Sequence, residues 1–123
     1  MSHECIVGIG SNINPEQNFA AALFFLRQEH QLLAVSSQVR TAPIGILEQP
    51  DFLNGAAKLS TQMDRDEFAY YLKDLEDRLK RDRNAPKFGP RTIDLDIIVW
   101  DGVVVDKDYY ERDFLKHAVD EIS

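Results

Sequence analysis

The sequence predicts an α+β fold of the ferredoxin-like kind: a βαββαβ core, with an antiparallel sheet carrying its helices on one face and a short C-terminal addition. Three observations carry this reading. Residues 15–29 and 64–81 show apolar residues at helical spacing. Strand-like apolar runs fall before, between and after these stretches in the order one, two, one. Segments rich in Pro and Gly separate the runs at two places. That order is the split βαβ arrangement, in which each helix crosses over to a strand that leaves room for another between. The 123 residues suit one domain, 1–123, around one core.

Taken in order, "ECIVGIG" is a short strand ending at Gly10. In "SNINPEQ" Asn14 is a candidate N-cap, and Pro15 suits the first helical position because its missing N–H is not needed there. Phe19, Ala22, Leu23 and Leu26 form the apolar stripe of the first helix. "QLLAVSSQVR" is β-like, "TAPIGILEQP" is a loop, and "DFLNGAAKLST" resumes as a strand in which Gly55 marks either a bulge or a close backbone approach. Asp64 and Glu67 form a capping-box pattern at the start of the second helix, whose stripe is Phe68, Leu72, Leu75 and Leu79. "RDRNAPKFGPR" is a second loop, "TIDLDIIVW" a strand, and "DGVVV" a turn into a hairpin partner. Residues 108–121 suit a final helix.

Composition bounds function. An apolar content of 44% with 28% charge is that of a water-soluble globular chain. No apolar run approaches the roughly 20 residues that span a bilayer, so no membrane association is expected. The opening residues carry no basic region followed by a long apolar stretch, so no signal peptide is expected. The one cysteine, Cys5, lies in an apolar strand, which suits core packing and a reducing, cytoplasmic location. A net charge of −7 argues against a nucleic-acid partner. Residues 78–91 nevertheless hold six basic residues and one acidic residue, a net of +5 that leaves −12 on the rest. Such an island suits either one local anionic ligand or a solvated helix end. No feature of the sequence points to a protein partner.

"FGPRTIDLDIIVW" poses the sharpest question, because a buried strand should not carry two unpaired carboxylates. Residues i and i+2 of a strand share a face. Asp94 and Asp96 therefore converge, with Cα atoms about 6–7 Å apart, while Ile93, Leu95 and Ile97 occupy the other face. Two such carboxylates can bridge one or two hard cations, and Mg²⁺ completes its octahedron with water and phosphate oxygens. Exposed edge strands carry the same pattern without a metal. The cationic loop ends at Arg91, three residues before Asp94, and that conjunction suits phosphoryl transfer. Arg81, Arg83 and Arg91 are the phosphate candidates, since guanidinium forks bind phosphate oxygens bidentately. Arg78 and Lys80 also suit a solvated helix face, and Glu76 an i,i+4 ion pair with Lys80.

"GSN" at 10–12, "RTAPIG" at 40–45, "QPDFLNGA" at 49–56 and "FGPRTIDLDI" at 88–97 resemble the 6-hydroxymethyl-7,8-dihydropterin pyrophosphokinase family of folate biosynthesis, in the family's order and near its spacing. The resemblance runs from about residue 4 to 105. It implies transfer of the β,γ-pyrophosphoryl unit of ATP to the pterin hydroxymethyl group, with release of AMP. It further implies two Mg²⁺ ions on Asp94 and Asp96, and a catalytic role for those two together with Arg81 and Arg91. Nucleotide contacts fall to Glu76, Arg81, Arg83, Phe88, Arg91 and Ile97. Pterin contacts fall to Thr41, Pro43, Ile44, Phe52, Asn54 and Phe114, with Asn54 offering the donor and acceptor that a pterin edge requires. The chain also departs from the family. It has no Pro-His pair, and it passes from "VVVDKDYY" directly to "ERDFL", a gap of roughly nine residues where family members hold part of the ATP site. In "ERDFL" Arg112 and Phe114 match an Arg-x-Phe segment. The gap leaves a second expectation open: a weakly active or inactive paralogue that serves as a pterin-binding module.

Overall fold

The computed structural model describes residues 1–81 and 89–123. Its elements run β1 (His3–Ser11), α1 (Pro15–Glu29), β2 (Gln31–Val35), β3 (Val39–Thr41), β4 (Phe52–Thr61), α2 (Arg65–Arg78), β5 (Asp94–Trp100), β6 (Val103–Val104), α3 (Asp108–Glu111) and α4 (Asp113–Ile122). The strands form one sheet in the order β2-β4-β1-β5-β6, with β3 also paired to β4, and every pairing is antiparallel. With β2 and β3 counted as one interrupted strand, this is the expected ferredoxin-like core. Within the described residues no helix is long and apolar enough to cross a membrane.

The pleat divides the side chains between two faces. Cys5, Val7 and Ile9 of β1, Leu53, Ala57 and Leu59 of β4, and Leu95 of β5 join Phe19, Ala22 and Leu26 of α1 and Phe68, Leu72 and Leu75 of α2 in one buried cluster. Burial pushes the Cys5 thiol up to about 12, with the Asp101 charge adding to the effect, so it is packing rather than a reactive group. The other face holds a second cluster, in which Leu115, Ala118 and Val119 of α4 cover Ile6, Ala56, Ile98 and Val99. The C-terminal addition thus makes a partial third layer. The expected placement of the core's two helices on one face holds for α1 and α2, and the C-terminal addition packs on the other through α4.

Local chemistry sets the boundaries. The Asp64 side chain accepts from the Glu67 N–H at 2.8 Å and Glu67 accepts from the Asp64 N–H at 3.1 Å, the complete capping box. At the start of α1 the expected side-chain cap is absent. Asn14 itself adopts a left-handed conformation, φ 43° and ψ 54°, with no side-chain cap bond. Helix α2 ends three residues before residue 81. Lys80 takes a left-handed conformation (φ 66°), its N–H donates to Asp77 O at 2.9 Å, and the Arg81 N–H donates to Glu76 O at 3.1 Å. These two bonds are a Schellman turn with lysine where glycine is usual. Gly55 proves to be a close approach and not a bulge: its register with Ile9 is regular, and a Cβ there would lie 2.8 Å from Phe19 Cζ. The hairpin after β5 turns through Asp101 (φ 48°) and Gly102 (φ 82°), as a two-residue Asp-Gly turn requires.

Candidate functional site

The cavity is the part of the second sheet face that α4 leaves uncovered. It holds about 300 Å³ and opens over Gly8 and Gly10. Register explains its floor. Gly10 pairs with Asn54 on one side and Asp94 on the other, and Gly8 pairs with Ala56 and Asp96. Asn54 and the two aspartates therefore stand on the same face, one strand to either side of β1, about 10 Å apart across a strip without side chains. A Cβ at Gly10 would lie 2.9 Å from Asn54 Oδ1. The cavity lining takes Thr41, Ile44 and Phe52 from β3, the loop after it and the start of β4, Arg112, Phe114 and Leu115 from around the start of α4, and Gly89 and Arg91 from the segment before β5. Asn54 Nδ2 donates to Thr41 Oγ1 at 2.6 Å, which orients the amide.

On the β5 side the Schellman turn decides the ion pairs. It returns the chain so that Arg81 lies beside Glu76, and Arg81 Nη1 meets Glu76 Oε2 at 2.7 Å and Asp94 Oδ1 at 3.2 Å. Glu76 is 3% exposed, and its carboxylate also accepts from the Leu95 N–H at 2.8 Å. A buried carboxylate with a cation and a backbone donor is compensated. This i,i+5 pair replaces the i,i+4 pair with Lys80 considered from spacing. Arg78 turns the opposite way. It pairs with Glu29 at 2.8 Å and Asp74 at 3.2 Å, its guanidinium lies over the Phe25 ring, and it serves structure.

Asp96 has the least compensation. Among the described residues none donates a hydrogen bond to its carboxylate. Asp96 itself is exposed to the open cavity, yet the surrounding protein desolvates it enough to push its pKa up to about 7, with the charges of Asp94, Glu76 and Asp106 adding to the rise and Arg81 opposing it. The cavity thus gathers more negative charge than its described cations balance at that point. A divalent ion fits this donor set: two convergent carboxylates, one held by Arg81 and the other without a donor. No group of three or more His, Cys, Asp or Glu side chains that could enclose a metal occurs among the described residues. Mg²⁺ accepts that condition, since it retains waters and phosphate oxygens and needs few protein ligands.

Of the expected site residues, Thr41, Ile44, Phe52, Asn54, Arg91, Asp94, Asp96 and Phe114 line this one cavity, and Arg112 joins them. Arg81 and Glu76 stand behind Asp94. Pro43 is buried in the loop, and Ile97 packs against the cluster on the α1/α2 side, away from the cavity. Arg83 and Phe88 lie outside the described residues. Sequence reasoning assigned no role to Gly8 and Gly10 as the floor, nor to Asn12 and Asp108. Two glycines at i and i+2 in an otherwise apolar strand are the signal that marks a floor. Asn12, 3% exposed, bonds to both loops that flank the cavity.

A ferredoxin-like domain with a glycine-floored cavity, an oriented amide at one end and paired carboxylates beside arginines at the other can hold a flat polar ring next to a metal-bound phosphate. Comparison with known proteins shows the family. The family model described as 7,8-dihydro-6-hydroxymethylpterin-pyrophosphokinase matches residues 6–123, and the chain belongs to that family. The 2-amino-4-hydroxy-6-hydroxymethyldihydropteridine pyrophosphokinase of Pseudomonas aeruginosa is 35% identical over 109 residues, covering 86% of this chain and 67% of the relative. The protein of the same name from Bacillus subtilis is 31% identical over 103 residues, covering 81% and 61%. A folate synthesis bifunctional protein of Arabidopsis thaliana is 32% identical over 99 residues, 79% of this chain and 20% of the relative. The chain thus spans about a fifth of that plant protein and about two thirds or less of these bacterial relatives.

Proposed function

We propose that the protein transfers the β,γ-pyrophosphoryl unit of ATP to the hydroxyl of 6-hydroxymethyl-7,8-dihydropterin, releasing AMP. The observation that carries this is the row Asn54–Gly10–Asp94, which sets an oriented amide and the paired carboxylates at opposite ends of one cavity. The ring lies on the glycine floor between Phe52 and Phe114, where aromatic faces stack on it. Asn54 and Thr41 read its polar edge. The hydroxymethyl oxygen then faces β5. It forms a bond to Pβ while the bond from Pβ to the oxygen bridging it to Pα breaks; that oxygen leaves with AMP, and the hydroxyl proton passes to solvent. Arg91 and Arg81 hold phosphate oxygens, and Glu76 fixes Arg81 in place. Asp94 and Asp96 would hold Mg²⁺, which when bound supplies neutralisation of the phosphate charge and a template for the in-line geometry.

Incubation with ATP, Mg²⁺ and hydroxymethyl-dihydropterin is expected to yield AMP and the pterin diphosphate in equal amounts. Folded protein that yields no AMP at saturating ATP refutes the assignment, and ADP in place of AMP would indicate transfer of a single phosphoryl group. A second reading, a pterin-binding module with weak or no transfer, has one observation in its favour. The Asp106 charge acts on Asp96 and Asp108 lines the same cavity, so negative charge gathers in the space that a triphosphate would have to share. Calorimetry showing pterin binding without Mg²⁺-dependent ATP binding would select it.

A further inference from the structure

We infer that Asn12 is a positioning residue that couples the two loops on either side of the cavity, so that a ring seated against residues 42–51 and an anion seated against Arg91 are held in register. The inference rests on the pyrophosphokinase reading for what occupies the two sides, but the coupling itself is a property of the fold. Asn12 follows the last residue of β1 and is almost wholly buried. Toward the basic loop its Oδ1 accepts from the Arg91 N–H at 2.8 Å, and its own N–H donates to Arg91 O at 3.0 Å. Toward the other loop its Nδ2 donates to Gln49 Oε1 at 2.8 Å and to Pro50 O at 3.0 Å. Both donors and one acceptor of the amide are engaged, and the amide is planar, so neither side can shift without moving the other. Its neighbour Ser11 strengthens the basic side by donating to Thr92 O at 2.6 Å.

Beyond the buried Pro43, the 42–51 loop has little packing to hold it. Ile44, Ile46 and Leu47 are 43%, 41% and 73% exposed, so its apolar side chains contribute little burial. Gln49 extends the polar anchor inward, its Nε2 donating to Ile46 O at 2.7 Å. A segment held by hydrogen bonds rather than apolar burial opens at low free-energy cost, and its anchor then controls its population of states. Because Asn12 anchors both loops, ordering one of them orders the other.

Two measurements test this. In ligand-free protein, hydrogen exchange is followed at the Arg91 amide and across residues 46–53. Gln49→Ala leaves the Asn12–Arg91 pair in place, yet it is expected to speed exchange of the Arg91 amide about threefold or more. Exchange that accelerates within residues 46–53 alone, with Arg91 at the wild-type rate, overturns the coupling. In the second measurement, pterin affinity is determined with and without a non-hydrolysable ATP analogue and Mg²⁺. In wild type the nucleotide is expected to raise pterin affinity at least about fivefold. In Asn12→Ala the ratio falls to within about twofold of one, with pterin alone still binding. Asn12→Asp keeps an acceptor for the Arg91 amide but has no donor for Gln49 and Pro50, and it is expected to lose the ratio as fully. A folded Asn12 variant that retains the wild-type ratio, or a wild type that binds both ligands independently, overturns the inference. A wild type that binds neither ligand refutes the pyrophosphokinase reading instead, and the exchange measurement still decides the coupling.

Discussion

Replacing Asp96 with asparagine should stabilise the ligand-free protein while removing its response to Mg²⁺. The Asp96 carboxyl protonates near pH 7 in the folded chain, against 3.8 for an ordinary aspartate. At about 1.4 kcal/mol per pH unit, the ionised form carries an upper bound of about 4 kcal/mol of unfavourable interaction above neutrality. Water in the open cavity screens the charge, which reduces the expected effect to about 1–2 kcal/mol. The sign follows from proton linkage: between pH 4 and 7 the folded state binds the proton more tightly than the unfolded state, so this contribution is complete near pH 4 and is lost as pH rises through 7. Urea denaturation without divalent ions should show Asp96→Asn more stable than wild type by about 1–2 kcal/mol at pH 8, with the difference vanishing near pH 4. Added Mg²⁺ should raise the midpoint of wild type and not of the variant. A variant no more stable than wild type at pH 8, or one that Mg²⁺ stabilises equally, would refute the account of this carboxylate.

Lys80→Gly relieves a left-handed lysine at the end of α2 and should raise stability by about 1 kcal/mol in thermal denaturation, with the Arg81–Glu76 pair retained. Gly10→Ala sets a methyl group 2.9 Å from Asn54 Oδ1. Calorimetry should show pterin affinity falling about tenfold or more as the amide leaves Thr41, with little change in melting temperature. Glu76→Ala strips the buried partner from Arg81 and the Leu95 N–H, and denaturation should show a loss of about 3–5 kcal/mol. Glu76→Gln retains an acceptor and should cost about 1–3 kcal/mol.

The order of elements was legible because apolar period and turn chemistry are local properties. The capping box at Asp64 and the Asp-Gly turn were read directly for the same reason. The misreadings share a cause, a residue whose conformation is set from outside its own segment. Lys80 occupies a position that glycine usually marks, so residues 64–81 read as one helix where α2 stops at Arg78. "QLLAVSSQVR" reads as one strand, yet the chain leaves the ladder at Ser36, whose Oγ accepts from the Ala56 N–H at 2.8 Å. Residues 108–121 read as one helix, but Arg112 is extended, with φ −121° and ψ 104°, and divides α3 from α4. At the site, the shared face of Asp94 and Asp96 follows from strand period alone. What Asn54 stands opposite depends on register across three strands, and no single stretch of sequence contains that.

Helix α4 covers one part of the second sheet face, with Leu115 reaching over Gly8, and the cavity occupies what remains beside Gly10. In effect the protein is a three-layer sandwich whose third layer is half missing, and a flat ligand of the right thickness would complete it. Bound ligand would then belong to the hydrophobic core as much as Leu115 does, touching the sheet beneath and the first turn of α4 at its side. Affinity and the docking of α4 thereby become one equilibrium. Loosening the helix at Ala118 or Val119, far from any ligand atom, should weaken binding, and ligand should in turn tighten the C-terminal helix against the sheet.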